Sequence, residues 1–189
     1  MKGELVLSKL YECRMVEEKL LESRILFIDQ EINARVASDV VAKLLYLDSL
    51  NHEDIVVYIN SPGGEISSGF MIYDTFSFIQ SDVQTISLGT SASMAALLLL
   101  SGTKGKRKIL ENSNVMLPDL SGGTTGKYGD IMAATQHMQK THRKIFDIIQ
   151  KNTNLTDEEI EVNLKNDFWL DSEEVLRYGI VDKIISSSN

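Results

Sequence analysis

Cysteine is almost missing from this chain. Cys13 stands alone, so no disulfide can close within it and no Cys-x-x-Cys pair offers zinc or redox chemistry. Such usage fits a reducing compartment, and Cys13, in a mixed amphipathic stretch, reads as an inert packing residue. Proline is nearly as scarce, with 2 in 189 residues. No low-complexity tract breaks the chain, and 1–189 reads as a single domain. No run approaches the roughly 20 apolar residues of a membrane span; the densest, Ala95 to Leu100, is flanked by Ser93 and Ser101. Met1-Lys2-Gly3-Glu4 lacks the apolar core of a signal peptide, so the expected location is cytoplasmic. Positive charge is also short: the net charge is −8, and no stretch joins lysine and arginine with aromatics, which argues against a nucleic-acid partner. Lys104, Lys106, Arg107 and Lys108 form only a short basic turn, read as a solvated loop. Nothing points to a metal or a cofactor.

What remains is an ordinary globular composition, 43% hydrophobic and 24% charged, arranged in alternating strand and helix patterns. Residues 15–22 read as a short amphipathic helix, and Ile25 to Ile28 as a buried strand. Asn33 caps a helix whose Val36, Ala37, Val40, Val41, Leu44, Leu45 and Leu47 recur at helical spacing. Ile55 to Ile59 is a continuous β-branched run, the mark of a parallel strand covered on both faces. It ends in Asn60-Ser61-Pro62-Gly63-Gly64, and a helix follows through Phe70, Met71, Tyr73, Asp74 and Ile79. Val83 to Leu88 is the next strand, leading through Gly89 to a helix that begins near Ser93. Ile109-Leu110 and Val115-Met116-Leu117 are further short strands. The alternation implies an α/β fold with a mainly parallel sheet and right-handed crossovers.

After the glycine-rich stretch Ser121 to Gly126, a long helix runs over 128–152. Its Ile131, Thr135, Met138, His142, Ile145 and Ile149 mark one packing face. At 1.5 Å per residue it spans about 37 Å, long enough to project onto a partner chain. Thr156 with Glu159 and Asp171 with Glu174 are capping-box pairs for two short helices, and Gly179 ends the second.

Active sites of open α/β sheets gather beyond the carboxyl ends of the strands, where the Asn60–Gly64 and Gly89–Met94 turns belong. A serine at the first turn of a helix has free backbone amides and the positive dipole end beside it. From the residues alone Ser93 is a candidate nucleophile or a plain helix N-cap, and the cap is the commoner case. Gly63-Gly64 is equally an anion-cradling turn or an ordinary one.

A resemblance covers residues from about 15 to 187. Tyr58-Ile59-Asn60-Ser61-Pro62-Gly63-Gly64, Ser91-Ala92-Ser93-Met94-Ala95, Gly102-x-Lys104-Gly105-Lys106-Arg107 and Tyr178-Gly179-Ile180-Val181-Asp182 follow the order and spacing of the proteolytic subunits of ATP-dependent Clp proteases, the ClpP family. The resemblance implies a crotonase-like α/β unit with a protruding handle helix, 128–152. It implies heptameric rings stacked in pairs through the handles, and a Ser-His-Asp endopeptidase for unfolded polypeptides. An AAA+ unfoldase, not this chain, would use the ATP. Residue by residue, Ser93 matches the nucleophile, the amides of Gly64 and Met94 the oxyanion hole, and Asp167 the triad acid. Residues 1–14 precede the resemblance; their apolar Leu5-Val6-Leu7 suits the family's axial pore segment and a plain strand equally well.

The histidine is missing. Where the family carries Val-Met-Ile-His-Gln-Pro, this chain reads Val115-Met116-Leu117-Pro118-Asp119-Leu120, with Pro118 at the histidine position. Proline cannot take a proton, and loss of that base costs a serine protease roughly a million-fold in turnover, about 8 kcal/mol of barrier. His52 belongs to the opposite end of the sheet, and His137 and His142 to the long helix. Asp119 is too weak a base, and no lysine is placed to form a dyad. Lys165-Asn166 replaces an acidic–arginine pair that ties the family's rings together, and Lys127 a glutamine ahead of the handle. Changes at several neighbouring sites speak for natural divergence rather than one laboratory substitution. The expectation is a ring subunit with impaired or no catalysis, alone or mixed with an active paralogue. One alternative is an active peptidase with a substitute or partner-supplied base; a remote one is an acyl-CoA enzyme or binding module of crotonase type.

Overall fold

The computed structural model describes residues 15–118, 125–163 and 167–186. Residues 1–14 with Cys13, the 119–124 stretch with Asp119, and Lys165-Asn166 lie outside them. Helix α1 covers residues 15–22. Then follow β1 (Ile25–Ile28), α2 (Ala34–Leu50), β2 (Ile55–Ser61), α3 (Ile66–Phe78), β3 (Val83–Ala92) and α4 (Met94–Leu100). The second half holds β4 (Lys108–Leu110), β5 (Asn114–Leu117), α5 (Tyr128–Asn152), α6 (Asp157–Asn163), β6 (Phe168–Leu170), α7 (Ser172–Arg177) and β7 (Lys183–Ile185).

Among the described residues the strands form a 7-stranded sheet whose main path is β1-β2-β3-β4-β7, with each neighbour parallel to the next. The mainly parallel α/β architecture is therefore as the strand pattern implies. Asn33 caps α2 through its side-chain oxygen, which accepts from the amides of Arg35 and Val36 at 3.0 and 3.1 Å. The expected apolar face of α2 is buried at Val36, Ala37, Val40, Leu44 and Leu47, while Leu45 stays exposed. Both capping boxes form: Thr156 Oγ1 accepts from the Glu159 amide while the Glu159 carboxylate takes the Thr156 amide, and Asp171 pairs with Glu174 in the same way. Every residue of α4 is buried, as befits a helix apolar on all sides.

Some expectations need correction. Strand β3 does not end at Leu88 but continues through Gly89, at φ +75°, to Ala92. Its pairing with β2 slips there, from Ile59↔Ser87 to Ser61↔Ser91. Before the bulge β3 pairs with β4, and after it with β5. Sequence reading also misses β6, which runs antiparallel to β5; a run of three residues shows no periodicity to find.

The long helix spans Tyr128–Asn152 as expected, but its buried residues are Thr141, Ile145, Phe146 and Ile149. No residue from Tyr128 to Lys140 is buried, and His142 is exposed. The stripe passes on the Thr141 side, because only the last turns of α5 reach the core. None of the described helices is long and apolar enough to cross a membrane.

The basic turn is not a solvated loop. Arg107 is 2% exposed, and it donates to both carboxylate oxygens of Asp182 and to the carbonyls of Leu100 and Asn152. Lys106 bridges Asp54 and Asp82 at 2.8 Å. Burial alone would push the Asp182 carboxyl up, yet hydrogen bonds from the Arg107 side chain and backbone, the Arg107 charge and the Gly105 amide hold it below the ordinary carboxylate range.

Removing one partner of a buried pair strands the other's charge, so Arg107→Ala is expected to cost roughly 3 kcal/mol in urea denaturation. A carboxyl depressed in the folded state stabilises above its ordinary range and loses that contribution as pH falls through the folded value. The stability gap between the native chain and Asp182→Asn should therefore narrow below about pH 4. A gap constant with pH would show that Asp182 acts through packing alone.

Candidate active site

Beyond the carboxyl ends of β2 and β3 two turns press against each other. The β2 turn carries Gly63 at φ +91° and Gly64 at φ +146°, conformations that L side chains rarely adopt. A Cβ on Gly63 would stand 2.6 Å from the Ala92 carbonyl oxygen and 2.8 Å from Ser93 Cβ. Only glycine lets the backbone come that close to Ser93. On the other side, Ile32 donates its amide to the Gly63 oxygen at 2.7 Å and accepts from the Glu65 amide at 2.8 Å. A parallel bridge of this kind uses the groups flanking Gly64 and leaves Gly64's own N–H directed away from Ile32.

Ser93 joins β3 to α4 with φ 54° and ψ −122°, and its side chain makes no capping bond. The plain N-cap reading thus fails: the residue occupies the cap position, but the hydroxyl is not spent there. A non-glycine residue in this region is strained by about 1–3 kcal/mol, which surrounding structure must offset. Here the restraints are visible. The Ser93 amide donates to the Met116 carbonyl at 2.8 Å, and the Ser93 carbonyl accepts from Ala96 and Leu97 at 3.0 and 3.3 Å. Met94, as the first residue of α4, has no acceptor for its N–H within the helix. Its side chain fills the space left by Gly69, where a Cβ would meet Met94 Cε at 2.3 Å.

Strand β5 brings the third part. It pairs with β3 through Ala92↔Met116 and with β6 through Val115↔Leu170, Met116↔Trp169 and Leu117↔Phe168. Continuing the antiparallel register by one residue sets Pro118 opposite Asp167. Pro118 is buried and Asp167 exposed. The topology therefore gathers Ser93, Pro118 and Asp167 at one end of the sheet, with Gly64 and Met94 beside Ser93. Next to the turn Glu65 accepts from Ser68 and Ser67 at 2.5 and 2.7 Å, bonds that lower its carboxyl below the usual range.

None of the histidines reaches this place. His52 Nδ1 lies 3.2 Å from Asp48 Oδ1, just before β2 and so at its opposite end. His137 and His142 are exposed on α5. Lys127 is the exposed N-cap residue of α5 and makes no side-chain cap bond. Among the described residues no group of three His, Cys, Asp or Glu side chains could hold a metal ion.

Sequence reading overlooked two supports of these turns. Asn60 Oδ1 accepts from the Thr90 amide at 3.1 Å across the bulge. Ser61, 1% exposed, accepts from the Gly63 amide and donates to the Gln30 carbonyl. Asn60 and Ser61 end the β2 strand, where polar residues ahead of a Pro-Gly-Gly turn look like ordinary turn residues.

A hydroxyl on a strained strand-to-helix turn beside outward-facing amides is an arrangement suited to acyl transfer, given a base. Comparison with known proteins agrees with that class. The family model for Clp protease matches residues 8–188. An ATP-dependent Clp protease proteolytic subunit of Streptococcus gordonii is 38% identical over 177 residues, covering 92% of this chain and 90% of that protein. On both grounds, the chain belongs to the Clp protease family.

Proposed function

We propose that this chain is a subunit of an ATP-dependent proteolytic chamber whose serine site is whole except for its general base. The observation that carries the reading is the strained Ser93 turn, uncapped and closed on by Gly63, with Pro118 in register with Asp167. Ser93 is the nucleophile of the ancestral mechanism, the Gly64 and Met94 amides its oxyanion donors, and Asp167 its triad acid. In that mechanism a histidine takes the Ser93 proton as Oγ attacks the carbonyl, and returns it to the leaving amine. Pro118 can do neither. The serine hydroxyl, a poor nucleophile at its own pKa, stays protonated and the chain alone is nearly inert.

Its contribution is then architectural. The exposed first half of α5, with Tyr128, Ile131 and Met132 on its surface, is the natural surface for a second ring. Rings form from this chain alone or with an active paralogue, and an AAA+ unfoldase supplies unfolded polypeptides and spends the ATP. The chain itself needs no cofactor and works in the cytoplasm. A second reading, an active site completed by a partner's base, is favoured by the exposure of Asp167, which leaves that carboxylate accessible to an incoming imidazole.

The test is hydrolysis of a short fluorogenic peptide by the purified chain, with Ser93→Ala as control. Turnover no faster than the control is expected. Activity that Ser93→Ala abolishes would sink the inert-subunit reading. Mixing with an active paralogue separates the rest: native and Ser93→Ala chains should support the same rate in mixed rings, whereas the partner-base reading requires the Ser93→Ala mixture to be slower.

A further inference from the structure

Pro62-Gly63-Gly64 is a flexible sequence held in one conformation, tied to the body of the fold by the Ile32 backbone and by the Ser61 hydroxyl. Ser61 closes β2 and is 1% exposed. Its Oγ accepts from the Gly63 amide at 3.1 Å and donates to the Gln30 carbonyl at 2.6 Å. Gln30 lies just before Ile32, whose amide donates to the Gly63 carbonyl and whose carbonyl accepts from Glu65. Both peptide groups of Gly63 are therefore fixed from the same neighbouring loop, the carbonyl by Ile32 and the amide through Ser61. The Gly64 N–H shares a peptide plane with the Gly63 carbonyl, so Ile32 holds that plane directly, and Ser61 steadies it from the preceding peptide by fixing the Gly63 amide. Gly63 also faces the Ser93 turn with no room for a Cβ between them, so the orientation of this peptide bears directly on the space beside Ser93.

We infer that Ser61 is a positioning residue that aims the Gly64 amide at the carbonyl oxygen of a peptide bound to Ser93. The inference rests on the reading of Ser93 and Gly64 given above. Ser61 touches no substrate; it acts through Gly63. Strand pairing alone does not require the hydroxyl, because Ser61 already pairs with Ser91 through the backbone register. Removing it would leave the Gly63 amide and the Gln30 carbonyl without this partner and the turn held by Ile32 alone.

Two measurements test this, one of them independent of catalysis. In the native background, hydrogen exchange at the Gly63 amide should accelerate in Ser61→Ala and return toward the native rate in Ser61→Thr, which keeps a hydroxyl. Exchange in the rest of β2 should stay as it was. In a Pro118→His background, Ser61→Ala should lower kcat by about 100-fold, the scale of a small misplacement at a reacting centre, with KM unchanged and Ser61→Thr restoring most of the loss. Unchanged kcat in an active Pro118→His parent would overturn the role of Ser61 while leaving the reading of Ser93 intact. A fall in kcat that tracks a fall in Tm and a rise in KM would reduce Ser61 to a packing residue. An inactive Pro118→His parent would instead fell the reading of Ser93, and Gly63 exchange would then decide whether Ser61 holds the turn: an unchanged rate overturns it.

Discussion

Gly63 and Ser93 meet at a distance that leaves no room for a side chain: a Cβ on the glycine would lie 2.8 Å from the Cβ of the serine. Much around the site follows from that contact. Strand β2 has to end at Ser61 and turn through two glycines at positive φ. Strand β3 has to carry Ser93 in a conformation that L residues avoid, which it does because Met116 holds the Ser93 amide while α4 holds its carbonyl. The strain is local, and its restraints come from three separate segments.

The bulge in β3 makes this meeting possible. With regular pairing, β3 would continue beside β2 and β4 and present no free end to β5. The slip after Ile59↔Ser87 moves four residues of β3 against two of β2, turning the strand's last residues toward β5. Asn60 braces the slip from β2, and Ser113 Oγ accepts the Gly89 amide from the other side at 2.8 Å. The antiparallel pairing of β5 with β6 then sets Pro118 in register with Asp167. The site is thus a product of sheet topology, with side chains added to it, and loss of one side chain leaves the scaffold standing. On the proposed reading, this is how a base could be lost while the Ser93 turn is retained.

Much of this was legible in the residues. The continuous apolar run of β2, the capping residues Asn33, Thr156 and Asp171, and the length of α5 come from local chemistry, and the structure places them as read. The roles proposed for Ser93, Gly64, Met94, Asp167 and Pro118 rest on resemblance, where four motifs in register carry more information than any one turn. The bulge, β6 and the role of Ser61 were not legible. Each depends on contacts between segments distant in sequence, and Ser61 looks like any turn-forming serine until Gln30 is beside it. Arg107 was misread for the same reason: its partner Asp182 lies 75 residues away. His142 was misplaced because periodicity cannot say how far along a helix the core extends.

The central claim is that only the base is missing. The direct measurement is the rate at which a fluorophosphonate probe labels Ser93 in the native chain and in Pro118→His. The account predicts slow labelling of the native chain, faster labelling by at least about 100-fold when histidine is restored, and none in Ser93→Ala. Native labelling as fast as that of Pro118→His would show that another group already activates Ser93, and would contradict the account.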